Sequence, residues 1–173
     1  GHHAEPGKAM GFCLFNSVAV AALHARAEQG LQRVAVVDFD VHHGNGTQAA
    51  FERDGDLFYA SSHQSPFYPG GGHESERGVG NIVNVELASG SGSDEFRRGW
   101  SGRILPALRE FDPDLLLISA GFDAHAMDPL AQIGLDTDDF AWVTRGLLDV
   151  ADECCQGRLV SCLEGGYDLV ALG

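Results

Sequence analysis

The sequence predicts an α/β fold of three layers, in which a mainly parallel β-sheet carries helices on both faces. Five short runs are nearly continuous in apolar character, as strands buried on both faces of a sheet are. Helical patterns lie between several of these runs, and strand–helix alternation favours parallel strands. The chain has 173 residues, of which 44% are hydrophobic, enough for one domain with a substantial core.

The predicted strands are runs of β-branched and aliphatic residues. They are placed at Arg33–Phe39, Leu57–Ser61, Asn81–Val85, Leu115–Ser119 and Arg158–Leu163. Because the carboxyl ends of parallel strands meet at one edge of a sheet, a site is expected at that edge. Ionisable residues do follow the strands there, namely Asp38 to His43, His63, Asp123 and Tyr167.

Three helices are predicted between the strands. Asn16 caps the first, which runs to Gln29 with Gly30 past its end. Residues 94–111 begin with acidic side chains and have helical spacing, although two glycines and a proline weaken the pattern. Thr137 caps the third. Its core-facing stripe is predicted to be Phe140, Val143, Leu147, Val150 and Cys154.

Composition excludes some classes of protein. Acidic residues outnumber basic ones by 25 to 11, and the formal net charge is −14. Direct nucleic-acid binding requires a basic face and is not expected, whereas cationic substrates suit an acidic surface. The four cysteines form no CxxC pair, which indicates a reduced, cytoplasmic setting. No apolar run approaches the roughly 20 residues of a membrane span, and no signal peptide is visible.

A metal site is predicted at the end of the first strand. Asp38, Asp40 and His42 alternate in sequence, so an extended chain would place all three on one face. Buried carboxylates are costly unless they are paired or bind a cation, although a helix-capping aspartate in a solvated loop is the alternative. Asp123 is the natural third ligand, and two aspartates with one histidine leave a position open, as in catalytic Zn²⁺ sites. Such ligands also accept Fe²⁺ or Co²⁺.

Two further features are ambiguous when taken alone. Tyr167 follows a glycine pair, and its hydroxyl could donate to a developing oxyanion, but a tyrosine after a strand is often simple packing. His2 and His3 could be the remnant of a purification tag. The motif-dense sequence that follows without a linker, together with the downstream sites, favours a functional pair.

Five motifs in this order resemble those of the zinc-dependent histone deacetylases and the bacterial acetylpolyamine amidohydrolases. The resemblance covers nearly the whole chain and is nearer to the class II branch, because of Asn45 in HHGNG and Glu164 in LEGGY. The motifs are GHHAEPGKAMGFCLFNSVA, VVDFDVHHGNGTQ, SSHQSPFYPG, SAGFDAHAMDPL and LEGGYDL.

The resemblance implies a role for each matched position. Asp40, His42 and Asp123 match the zinc ligands. His2 and His3 match the tandem histidines that handle the proton of the attacking water. Asp38 and Asn45 match the groups that orient these two histidines, with Asn45 standing where class I has an aspartate. Tyr167 matches the tyrosine that polarises the amide carbonyl.

The resemblance also implies a substrate channel and structural monovalent cations, K⁺ or Na⁺. The channel walls match Gly11, Phe12, Tyr68 and Leu130. One cation site would use Asp38, Asp40, His42, Ser61 and Ser62, and a second would lie near Phe51, Asp54 and Leu57.

The implied reaction is hydrolysis of an N-acetyl amide to acetate and a free amine, with an acetylated lysine peptide or an acetylated polyamine as substrate. Residues 1–173 are expected to form a single deacetylase-like catalytic domain that lacks N-terminal and C-terminal parts of the family domain. A truncated, non-catalytic deacetylase-like domain is the main alternative.

Two other enzyme classes fit less well. Phosphatases of the haloacid dehalogenase type share a D-x-D at a strand end but need a downstream lysine, and Lys8 is the only lysine here. An arginase-like ureohydrolase would need a second paired-carboxylate motif, and Asp128 is too far from Asp123 to form one.

Overall fold

A computed structural model describes residues 1–173 as one parallel sheet flanked by helices. The strands are β1 (Val34–Asp38), β2 (Leu57–Gln64), β3 (Ile82–Leu87), β4 (Leu115–Ala120) and β5 (Leu159–Leu163). Their order in the sheet is β3-β2-β1-β4-β5, and every neighbouring pair is parallel. The predicted α/β fold is confirmed, and all five strands lie where the sequence places them to within a few residues.

Six α-helices accompany the sheet. They are α1 (Ser17–Gln29), α2 (Asn45–Phe51), α3 (Ser93–Gly99), α4 (Leu105–Phe111), α5 (Thr137–Cys155) and α6 (Leu169–Leu172). The two short helices α2 and α6 were not predicted. The segment predicted as one helix over 94–111 is divided by a π-helical turn at Trp100–Ile104. This turn buries Trp100, whose indole N–H donates to Ser62 Oγ at 2.9 Å.

The helices form a layer on each face of the sheet, and β1 shows why. All five of its residues are buried, and alternate side chains point to opposite faces. Ala35 and Val37 join the larger core, which also contains side chains of α3, α4 and α5. Val34 and Val36 join the smaller core with α1 and α2. Fully burying a valine side chain contributes about 1.5–3 kcal/mol, so this strand stabilises both layers.

The helix boundaries follow from capping groups. Asn16 Oδ1 accepts from the Ala19 N–H at 3.0 Å to begin α1, and Gly30 ends it in a left-handed conformation, as predicted. The predicted cap of α5 is wrong by one residue, because Asp136 accepts the Asp139 N–H and Thr137 is already helical. The predicted stripe ends at Cys154, which is half-buried and packs against the larger core, and the neighbouring Cys155 is fully buried.

The edge strand β5 differs from the other strands, because Val160 and Leu163 are exposed. No helix of the chain combines the length and the apolar character that crossing a bilayer requires.

Candidate active site

The predicted site residues gather where the order of the sheet reverses direction. β1 is hydrogen-bonded to β2 on one side and to β4 on the other. In open parallel sheets such a point leaves a crevice beyond the carboxyl ends of the strands. Asp40 and His42 follow β1 into this crevice, and Asp123 follows β4.

The prediction that Asp38, Asp40 and His42 share one face of an extended strand is wrong. β1 ends at Asp38, so Asp40 and His42 lie in the following loop rather than on one face of a strand. Side-chain bonds to the backbone turn this loop. Asp38 Oδ1 accepts from the Asp40 N–H at 3.1 Å, and Asp40 Oδ1 accepts from the His42 N–H at 2.8 Å. The turn separates Asp38 from the other two and gives it a different partner.

Asp40, His42 and Asp123 fit a divalent cation. One ligand atom from each lies within 4.8 Å of the others. His42 Nδ1 is 3.0 Å from Asp40 Oδ1 and 3.1 Å from Asp123 Oδ2. Asp123 Oδ2 is buried and has no hydrogen-bond partner, and a bound cation would remove the cost of leaving it so. Two carboxylates and one imidazole are a donor set that suits Zn²⁺.

Backbone groups from two segments hold the two carboxylates in place. The Val41 N–H donates to Asp123 Oδ1 at 3.0 Å, and the Gly165 N–H donates to Asp40 Oδ2 at 2.8 Å. A Cβ at residue 165 would overlap the Asp123 carboxylate, so only glycine allows this close approach. Sequence reasoning noted the glycine pair but missed its bond to Asp40.

The tandem histidines lie side by side, with ring centroids 4.2 Å apart. His2 Nδ1 donates to Asp38 Oδ2 at 2.7 Å. His3 Nδ1 lies 2.9 Å from Asn45 Oδ1. The amide nitrogen of Asn45 donates to Glu5 Oε1 at 2.7 Å, which turns the amide oxygen towards His3. Both rings therefore carry a proton on Nδ1, and a neutral ring in this arrangement leaves its Nε2 free to accept a proton.

The two histidines have opposite electrostatic environments. Burial alone would lower the pKa of His2, but attraction by Asp38 and Asp40 and the bond to Asp38 outweigh it and raise that pKa to about 10. Burial lowers the pKa of His3 to about 4, and repulsion by His2 adds to this effect. His2 is thus charged and His3 neutral at pH 7, although a cation bound nearby would lower both pKa values.

Sequence reasoning assigned no contact to three supporting residues, Tyr59, Glu5 and Glu164. Tyr59 is buried, and its hydroxyl donates to Asp38 Oδ2 at 3.1 Å. Glu5 binds the Asn45 amide, as described above. Glu164 accepts from Ser119 Oγ at 3.0 Å and from the His2 N–H at 3.2 Å, which ties the end of β5 to the histidine pair. None of these contacts is local in sequence, so no periodicity or spacing could have indicated them.

A cavity of about 510 Å³ opens beside these groups. The four predicted channel residues, Gly11, Phe12, Tyr68 and Leu130, all line it. The Tyr68 ring stands edge-on to His3 at a centroid distance of 5.2 Å. The cavity is also lined by both tandem histidines, by two of the proposed metal ligands, Asp40 and His42, and by Tyr167. The structure thus brings the predicted channel and the predicted catalytic residues together.

The residues predicted for monovalent cations fall in two places. Ser61 lies next to Asp38 in the strand register, and Ser61 Oγ is 2.9 Å from His63 Nδ1. Ser62 is adjacent, so the first set is close in space and remains a prediction. Phe51, Asp54 and Leu57 lie apart from the cavity, and their carbonyl oxygens accept from the Asn81 amide at 2.8, 2.9 and 2.6 Å. A cation bound by these carbonyls would have to displace that amide.

His43 is buried behind the site. Its Nε2 lies 2.9 Å from Gln48 Oε1, and its ring is next to that of His63, with a centroid distance of 4.8 Å. It does not line the cavity.

Fold and site together define a deacetylase-like α/β domain, and comparison with known proteins identifies the family. The histone deacetylase domain family matches residues 1–173. Histone deacetylase 14, chloroplastic, from Arabidopsis thaliana is 46% identical over 176 residues, which cover 99% of this chain and 42% of that protein.

Two solved structures are similar in both fold and sequence. The HDA15 HD domain superposes with a TM-score of 0.93 at 42% identity, covering 99% of this chain and 49% of that one. Acetylpolyamine aminohydrolase from Burkholderia pseudomallei gives a TM-score of 0.89 at 37% identity, covering 99% and 50%. The chain belongs to the histone deacetylase family and spans about half the length of these relatives.

Proposed function

We propose that this protein hydrolyses N-acetyl amides on lysine side chains or polyamines, releasing acetate and a free amine. The main support for the proposal is one arrangement of residues. Two histidines lie side by side in a cavity, next to a set of carboxylate and imidazole groups that suits a divalent cation. Membership of a family of deacetylases and amidohydrolases supports the same reaction class.

The two histidines divide the proton chemistry between them. His3 is neutral, so its free Nε2 takes a proton from the attacking water and later gives it to the leaving amine. His2 is held as an imidazolium by Asp38, and its charge stabilises the developing negative charge. The water oxygen bonds to the carbonyl carbon, the C–N bond breaks, and the amine leaves with the proton from His3.

Asp40, His42 and Asp123 would hold the metal in this proposal. A divalent cation supplies Lewis acidity towards the amide carbonyl and lowers the pKa of water. Zn²⁺ is the ion that the ligand set favours, with Fe²⁺ or Co²⁺ as substitutes. Tyr167 lines the same cavity, and its hydroxyl would donate to the carbonyl oxygen. The monovalent sites for K⁺ or Na⁺ remain predictions from the family resemblance.

The cavity suits a substrate with an apolar stem and a neutral amide end. Phe12, Tyr68 and Leu130 offer apolar walls, and methylene groups pack well against such surfaces. The net charge of −14 is compatible with a cationic amine product. An acetylated lysine peptide and an acetylated polyamine both meet these requirements. The predicted cytoplasmic location stays a prediction, since one relative is a chloroplastic protein.

The test combines metal analysis with acetate release. The purified chain, loaded with Zn²⁺, is given an acetyl-lysine peptide, an acetylated polyamine and, as a ureohydrolase control, a guanidine substrate. We expect one Zn²⁺ per chain and acetate release that Asp123→Ala abolishes. Metal binding without acetate release would contradict the proposal and favour a non-catalytic domain. Urea release from the control would favour the ureohydrolase alternative.

A further inference from the structure

Asp128 has a buried carboxylate that the chemistry described above does not use. Only 7% of its surface is exposed, and no lysine or arginine forms an ion pair with it. A buried carboxylate is costly unless its oxygens accept hydrogen bonds. Asp128 lies in the loop after β4, close to the cavity.

Three backbone N–H groups donate to the Asp128 carboxylate. Asp128 Oδ2 accepts from Tyr167 at 2.7 Å and from Asp168 at 3.3 Å. Asp128 Oδ1 accepts from Leu130 at 3.0 Å. Charge-assisted bonds of this kind are about twice as strong as bonds between neutral groups. One carboxylate therefore fixes the backbone of two residues that line the cavity from different loops.

The backbone before Tyr167 is anchored as far as Gly165. Gly165 is tied to Asp40 and to the Phe122 N–H, which donates to the Gly165 carbonyl at 2.8 Å. Gly166 then has a φ of 136°, a conformation that gives the chain freedom between this anchor and Tyr167. The Tyr167 side chain is itself 49% exposed.

The loop that carries Asp128 is by contrast well anchored. The Asp128 N–H donates to the His125 carbonyl at 2.9 Å, and the Met127 N–H donates to His125 Nδ1 at 3.1 Å. The Ala126 N–H donates to the Leu135 carbonyl at 2.8 Å. Asp128 is thus held in place by its own loop, and it accepts the N–H of Tyr167 from another loop.

We propose that Asp128 is a positioning residue, which sets where the Tyr167 hydroxyl meets the substrate carbonyl and how far Tyr167 stands from Leu130. This role rests on the proposed deacetylation. A displacement of about 1 Å can cost on the order of 100-fold in rate, so an anchor of this kind is worth testing by kinetics.

A double-mutant cycle in kcat distinguishes positioning from a general structural role. Asp128→Ala should lower kcat by about tenfold or more in the chain with Tyr167, but by less than about threefold in the Tyr167→Phe background. Asp128→Asn keeps the size of the side chain and one acceptor oxygen, so it should lower kcat less than Asp128→Ala does. It also serves as the variant to measure if Asp128→Ala does not fold. Equal losses in both backgrounds would overturn the proposal, as would an unchanged kcat in Asp128→Ala.

Asp136→Asn is the matched control for this cycle. Asp136 also accepts a backbone N–H, that of Asp139 at 3.2 Å, but it is exposed and caps α5 away from the cavity. This variant should keep kcat within about twofold of the unchanged chain.

Hydrogen–deuterium exchange gives a second readout that does not depend on turnover. The Tyr167 amide should exchange slowly in the unchanged chain and at least about tenfold faster in Asp128→Asn and Asp128→Ala. Equal exchange rates at Tyr167 would overturn the anchoring role. If the chain released no acetate but showed the exchange difference, the proposed function would fail while the anchoring of Tyr167 by Asp128 would stand.

Discussion

The phenolic oxygen of Tyr59 lies 3.1 Å from Asp38 Oδ2, the same oxygen that binds His2 Nδ1 at 2.7 Å. Burial and the neighbouring carboxylate raise the pKa of Tyr59, so its hydroxyl keeps its proton and donates. The Gly44 N–H donates to the phenolic oxygen in turn, at 3.0 Å. Asp38 is therefore fixed by β2 as well as by the loop that follows β1.

Tyr59→Phe should destabilise the protein and reduce its proposed activity. The change leaves the Gly44 N–H without an acceptor and Asp38 with one donor fewer, and each loss in a buried site costs about 1–3 kcal/mol. With Asp38 less restrained, His2 is less well oriented, and we expect kcat to fall several-fold. Urea denaturation and acetate release measure the two effects. Unchanged stability and kcat would show that the Tyr59 hydroxyl has no such role.

Asn45→Asp should raise the pKa of His3. An aspartate in place of the amide would add a full negative charge at the atom 2.9 Å from His3 Nδ1 and so favour the imidazolium. The lowered pKa of His3, about 4, keeps the base unprotonated at neutral pH, and the acid limb of kcat/KM should move to higher pH in the variant. An NMR titration of His3 measures the shift directly.

Glu5→Gln is the control for this experiment. Glu5 accepts from the Asn45 amide, so its replacement removes a charge from the same network without touching the atom that faces His3. The His3 titration should move much less in Glu5→Gln than in Asn45→Asp. Unchanged His3 titration in Asn45→Asp would sink the idea that the amide keeps the base neutral.

The sequence predicted the site best where its residues follow strands. Asp40, His42 and Asp123 each lie just beyond a buried apolar run, and the parallel order of β1 and β4 brings those strand ends together. The prediction that Asp38 shares a strand face with Asp40 and His42 was nevertheless wrong, because β1 ends at Asp38. Period-two alternation holds only while the backbone stays extended.

The supporting contacts were out of reach for a physical reason. Gly165 and Asp40 are 125 positions apart, and Tyr59 and Asp38 meet only because β1 and β2 are neighbours. Such contacts depend on the register of the sheet, which a single sequence leaves open.

Asn81→Ala should lower the stability of the protein. The Asn81 amide donates to the carbonyls of Phe51, Asp54 and Leu57, and its removal takes one donor from each, at a cost of about 1–3 kcal/mol. The Phe51 and Asp54 carbonyls keep the N–H groups of Asp54 and Leu57 as donors. These are the residues predicted to hold a second monovalent cation, so K⁺ should restore part of the loss in the variant. Urea denaturation in potassium and tetramethylammonium salts measures both effects. The control Gln29→Ala removes an exposed amide and should change little.

Zn²⁺ should reverse the stability order of the unchanged chain and Asp123→Asn. In excess chelator, burial and the nearby Asp40 carboxylate raise the pKa of Asp123, so its ionised form destabilises the fold at neutral pH. Asparagine removes that charge and keeps Oδ1 as the acceptor for the Val41 N–H, so the variant should unfold at the same or a higher temperature. With Zn²⁺ at about 100 times Kd, binding stabilises the unchanged chain by about 2.7 kcal/mol, whereas the variant lacks one anionic ligand and gains less. Thermal unfolding of both chains with chelator and with Zn²⁺ measures the crossing. An equal rise in Tm for both would show that Asp123 does not ligate the ion.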